Sequence, residues 1–90
     1  MQDIRAEIDS IDQEIIRLLG RRFAYVQAAA QFKTSASSVR APERFKAMLA
    51  QRRSWAQEVG LDPEVIAGVY RDLVSYFIAE EMEKWQAEAQ

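Results

Sequence analysis

Ile4, Ile8, Ile11, Ile15 and Leu18 step along the chain by alternating four and three, which draws one apolar stripe down a helix. The next two steps fall on Arg22 and Tyr25, so a stripe built for burial acquires a cation. Lys33 follows after about three further helical turns, which points both cations the same way, roughly 16 Å apart along the axis. A buried charge needs a partner. No Asp or Glu recurs on that face at neighbouring turns. The charges are therefore met by an acid from another helix, by an anionic ligand, or by snorkelling to the surface.

The pattern predicts three helices and an all-α fold. The first runs from near Asp3 through Phe32, with Gly20 its weak point at a cost of about 1 kcal/mol. The small, polar stretch from Thr34 to Arg40 reads as a flexible loop. Pro42 suits the first turn of a second helix, which carries Phe45, Met48, Leu49, Arg52 and Trp55 at helical spacing and closes at Gly60. Asp62, Pro63 and Glu64 supply an N-cap, a first-turn proline and an acid at the positive helix end, so a third helix starts there and extends to about Gln86.

That third helix repeats the anomaly of the first. Val74, Ile78, Glu81 and Trp85 step by four, three and four, which sets Glu81 on an apolar face. It is either the structural partner of Arg22 or Lys33 or a functional acid. Arg44 shares a side of the second helix with Met48 and Trp55, where it is a further site cation or part of a solvated face. Arg5 lies beside the Ile4 and Ile8 stripe.

A helix of about 30 residues is about 45 Å long, whereas a compact chain of this size is roughly 30 Å across. The first helix therefore overshoots a monomer, and its stripe predicts a homodimer in which the two long helices lie together. The alternative is a break at Gly20, giving a four-helix monomer.

Ninety residues, 49% of them hydrophobic and 29% charged, describe one soluble domain over residues 1–90. No apolar run reaches membrane-spanning length and no basic-then-apolar leader opens the chain, so a cytoplasmic protein without membrane partners is expected. Cysteine and histidine are both absent. That removes Cys-His, Ser-His-Asp and HExxH arrangements, and no metal or organic cofactor is expected. A net charge of −2 with interspersed signs gives no basic field for nucleic acid. An enzyme of this composition works by binding and electrostatics.

Arg5 within Asp3-Ile4-Arg5-Ala6-Glu7-Ile8-Asp9, then Asp12, Leu19-Gly20-Arg21-Arg22, Lys33, and Arg44 in Pro42-Glu43-Arg44 resemble the all-helical chorismate mutases. Ala41-Pro42-Glu43-Arg44, Arg53-Ser54-Trp55-Ala56, Gly60-Leu61-Asp62 and Ile78-Ala79-Glu80 look most like the isochorismate pyruvate-lyase branch of siderophore-type salicylate biosynthesis. The resemblance covers essentially the whole chain. It implies an intertwined homodimer of three helices per chain with two equivalent sites, and a substrate with two carboxylates. By resemblance Arg22 grips one carboxylate, Arg5 of the partner chain holds the other, and Lys33 bonds the ether oxygen where charge builds as the carbon–oxygen bond breaks. The segment from Thr34 to Arg40 closes over the ligand. The implied reaction is a concerted pericyclic elimination of pyruvate from isochorismate, leaving salicylate, with weak mutase activity as a side reaction.

Two positions depart from the mutase pattern. Mutases of the family typically carry a glutamate after the arginine matching Arg44, to bind the substrate's ring hydroxyl at C4; here that residue is Phe45. An apolar residue leaves that hydroxyl unsatisfied, and isochorismate has none at that carbon, so Phe45 favours the lyase. Many members have a glutamine where Glu81 stands. An ionised glutamate cannot donate a hydrogen bond to the ether oxygen, so Glu81 is expected to act protonated. Competing with the lyase are a chorismate mutase, acting on chorismate or a 4-amino analogue, and a non-catalytic helical dimerisation module whose charges only pair across helices.

Overall fold

The computed structural model describes residues 1–89. It comprises α1 (Gln2–Ala30), α2 (Ala36–Arg40), α3 (Pro42–Glu58) and α4 (Pro63–Ala89), without strands among the described residues. The three long helices fall where the periodicity predicts them, and α1 passes Gly20 unbroken. That removes the four-helix monomer made by a break there.

One expectation is corrected. The segment from Thr34 to Arg40 is not a plain flexible loop, because α2 forms a short helix within it. Ser35 makes this turn possible: its Oγ accepts from the Ser38 backbone N–H at 3.1 Å, and the Ser38 Oγ accepts from the Ser35 N–H at 3.2 Å. Two orphan donors of a helix start are thereby satisfied reciprocally. Ala41 joins α2 to α3 with φ 40°, ψ 63°, a left-handed conformation. Pro42 contributes to this, since a residue before proline is disfavoured in the right-handed helical region.

Helix α4 begins on the predicted cap, with Asp62 Oδ1 accepting from Glu64 N at 2.9 Å and Val65 N at 3.3 Å. At the other end of the turn, Gly60 has φ +79°, which glycine adopts without steric cost.

The core lies between α3 and α4, where Met48, Leu49 and Ala67 are buried and Phe45, Tyr70 and Val74 pack around them. Helix α1 packs on α4 through its C-terminal part, where Phe23 meets Tyr76 and Phe77 at ring separations of 5.9 and 5.1 Å. Its first seventeen residues, 2–18, are all exposed, including Ile4, Ile8, Ile11, Ile15 and Leu18. The molecule is accordingly elongated, 54 × 24 × 15 Å with a radius of gyration of 15.8 Å, where a compact chain of this length has about 12 Å. No helix among the described residues is long and apolar enough to cross a membrane.

Candidate active site

A cavity of about 350 Å³ opens where the C-terminal part of α1, the turn of α2, the start of α3 and the second half of α4 converge. Its wall carries five cations, Arg22, Lys33, Arg40, Arg44 and Arg52, against one carboxylate, Glu81. Phe45, Met48, Val74, Phe77 and Ile78 supply the apolar remainder. A pocket with that charge balance and an apolar lining fits an anion that also presents hydrocarbon surface.

Arg22 comes from the C-terminal half of α1, next to Phe23, which packs on α4. Its guanidinium carbon sits 5.1 Å from the Phe77 ring centroid, a cation–π distance. Burial holds the guanidinium below its ordinary pKa; Tyr70 opposes that, and the like charges of Arg52 and Arg44 add to it. The side chain stays cationic at any physiological pH, so what these neighbours impose is an unbalanced positive field.

Lys33 follows α1 in a half-buried position. Its Nζ donates to the Ser38 carbonyl at 3.2 Å, and its own carbonyl accepts from Trp85 Nε1 at 2.9 Å. The ammonium is thus oriented by α2 while the backbone beneath it is tied to α4, and two of its three N–H donors stay free for a ligand.

Glu81 is 5% exposed, and its Oε2 has no hydrogen-bond partner. Burial pushes its carboxyl pKa up, and the nearby charge of Lys33 works in the opposite direction. The net displacement is upward, so the proton is held more firmly than in water. The ion pairs among the described residues are Arg17–Glu14, Arg53–Glu64 and Lys84–Glu88. Glu81 thus forms no direct ion pair with Arg22 or Lys33.

Of the residues singled out in the sequence, Arg22, Lys33, Arg44 and Glu81 meet on this one cavity. Arg44 is an exposed residue that still lines it. Arg5 is not part of the wall within one chain; it lies on the exposed first turns of α1. Arg40 and Arg52 join the cavity without having been singled out. Arg40 lies in the stretch whose composition predicts a loop, and Arg52 is one more step on the α3 stripe.

Residues 4–82 match the chorismate mutase type II family. This chain belongs to that family. It is 44% identical over 86 residues, 96% of this chain and 85% of the relative, to the isochorismate pyruvate lyase of Pseudomonas aeruginosa. It is 38% identical over 72 residues to the T-protein of Haemophilus influenzae, covering 79% of this chain and 19% of that protein. A bifunctional chorismate mutase/prephenate dehydratase of Aquifex aeolicus is 32% identical over 79 residues, 83% of this chain and 22% of its own length. The lyase is thus matched over most of both chains, and the T-protein and the bifunctional enzyme over a small part of theirs. The all-α architecture of long helices agrees with the chorismate mutase type II assignment.

Proposed function

We propose that this protein is an isochorismate pyruvate-lyase, converting isochorismate to salicylate and pyruvate in the cation-lined cavity. The observation that carries the reading is the 44% identity to a protein of that name over nearly the whole of this chain. Phe45 supports it, since this side chain faces the cavity beside Arg44 and offers no acceptor to a ring hydroxyl at C4.

In this reading Arg22 binds one substrate carboxylate, with Arg44 adding charge at the mouth of the site. Arg5, supplied by the partner of a homodimer, binds the other. The exposed stripe of Ile4, Ile8, Ile11, Ile15 and Leu18 is the surface that such a dimer covers. As the ring carbon–oxygen bond breaks, a ring hydrogen passes to the methylene of the enolpyruvyl group, giving aromatic salicylate and pyruvate in one concerted step. Negative charge on the departing oxygen is met by the Lys33 ammonium, already held by the Ser38 carbonyl, and by a protonated Glu81. No protein nucleophile or base takes part. The site is expected in the cytoplasm, in a salicylate-producing route of the siderophore type.

Incubation with isochorismate and, separately, with chorismate tests this. Salicylate and pyruvate in equal amounts from isochorismate support the lyase; prephenate from chorismate, without salicylate, moves the assignment to a mutase. The family match to proteins that contain a mutase keeps that second activity worth measuring.

A further inference from the structure

Arg52 differs from the other cations of the cavity in how it is held. Its guanidinium carbon lies 4.6 Å from the Trp55 ring centroid and 5.6 Å from that of Tyr70, so two aromatic side chains fix it. One terminal nitrogen, Nη1, donates to Gln51 Oε1 at 3.0 Å. Its Nε is buried and donates to nothing. A buried guanidinium N–H without an acceptor is costly, and no carboxylate pairs with Arg52 among the described residues. The adjacent Arg53 shows what a structural arginine of the same helix does: its Nε donates to Glu64 Oε1 at 3.0 Å.

Three guanidiniums, Arg22, Arg44 and Arg52, share this wall, and the charge of Arg52 reaches Arg22 strongly enough to lower its pKa. Like charges held together around a cavity are stable when an anion fills it. A guanidinium presents its N–H groups as a planar fork that matches a carboxylate, and on Arg52 only Nη1 is given a protein acceptor.

We infer that Arg52 is a further substrate-binding residue of this cavity, its guanidinium donating to a carboxylate of the dianion alongside Arg22. The inference rests on the reading of the cavity as a dicarboxylate site. It assigns to α3 a second carboxylate-binding cation, two turns beyond Arg44, positioned by aromatic packing instead of by an ion pair.

The test compares Arg52→Met and Arg52→Lys with Arg53→Met as the neighbouring control. Steady-state kinetics on isochorismate are measured together with the thermal shift produced by chorismate, a dianion of similar size. Loss of a hydrogen bond to a charged group corresponds to about tenfold to about a hundredfold. Arg52→Met is therefore expected to raise KM and the chorismate dissociation constant by that factor, with the unliganded melting temperature unchanged or higher. Arg52→Lys recovers part of the binding, and Arg53→Met stays within about twofold of wild type. If Arg52→Met binds both dianions as wild type does, the inference is overturned while the proposed function stands. A lower melting temperature with unchanged KM overturns it equally, by making Arg52 a protein contact. If wild type neither turns over isochorismate nor is stabilised by chorismate, the proposed function fails and this inference fails with it.

Discussion

The Trp85 indole N–H donates to the carbonyl of Lys33 at 2.9 Å, joining positions 52 residues apart in sequence. This bond ties the backbone of Lys33, just beyond α1, to the last turns of α4. Trp85→Phe keeps much of the apolar packing and removes the donor. Stability is expected to fall by about 1 kcal/mol, the usual net worth of a hydrogen bond. On the proposed role of Lys33, kcat falls severalfold while KM changes less. Losses in Trp85→Ala with Trp85→Phe close to wild type would trace the effect to packing instead.

Glu81 gives a pH dependence whose sign follows from burial. Its folded-state pKa is raised, so the native state binds a proton more tightly than the unfolded chain. The stability associated with that proton is fully present below the unfolded carboxyl value and is lost as pH rises through the raised folded value. Glu81→Gln should therefore stabilise the unliganded protein at neutral pH, because the amide carries no buried charge, and the advantage should shrink towards pH 4 as the glutamate itself is neutralised. Denaturant melts at several pH values read this directly. In kinetics, wild-type activity should rise as pH falls and the glutamine variant should flatten that profile; an unchanged profile removes Glu81 from the mechanism.

Much of the cavity was legible because its residues break a pattern. Arg22 and Glu81 interrupt apolar stripes and meet on one cavity, although the isoleucines that precede Arg22 stay exposed, and Arg44 shares a helix side with Met48, which is buried. Arg52 also interrupts a stripe, that of Phe45, Met48, Leu49 and Trp55, but the stripe alone does not separate a cavity cation from a solvated one. Its role depends on Tyr70, brought alongside by the packing of α4 on α3, and no periodicity within α3 carries that information. Helix α2 was missed for a different reason: five residues are too few for a 3.6-residue period, and its serine-to-serine cap is a weaker signal than serine followed by glutamate. The overshoot of α1 was legible from length alone, and its exposed half bears the isoleucines that prompted the dimer reading.

Ala41 is the one non-glycine residue at positive φ among the described residues, and it lies on the cavity wall between α2 and α3. A left-handed alanine costs about 1–2 kcal/mol. Ala41→Gly relieves it and gives back part of the gain through a more flexible unfolded chain. The expected outcome is a stability increase of up to about 1 kcal/mol, measured by thermal denaturation. Ala41→Val is expected to lose stability, since branching adds steric cost at the same backbone conformation.

Asp62 caps α4 through two backbone N–H groups, remote from the cavity wall. Asp62→Ala is expected to cost about 1 kcal/mol of stability. Activity per folded molecule should stay at the wild-type level, which urea melts and assays on the same sample compare.

The dimer reading is tested on the exposed stripe. A charge at Ile11, as in Ile11→Asp, should shift sedimentation from dimer to monomer and abolish activity, because Arg5 then reaches no neighbouring site. A variant that sediments as a monomer and retains full activity removes Arg5 from the site.

The central claim is that isochorismate loses pyruvate in the cavity lined by Arg22 and Lys33. The decisive measurement is salicylate formation from isochorismate by wild type, Arg22→Ala and Lys33→Ala, each first shown by circular dichroism to be folded. Salicylate from wild type well above the uncatalysed rate, falling by orders of magnitude in both variants, is the result expected. Absence of salicylate from wild type, or its undiminished formation in both variants, would contradict the account.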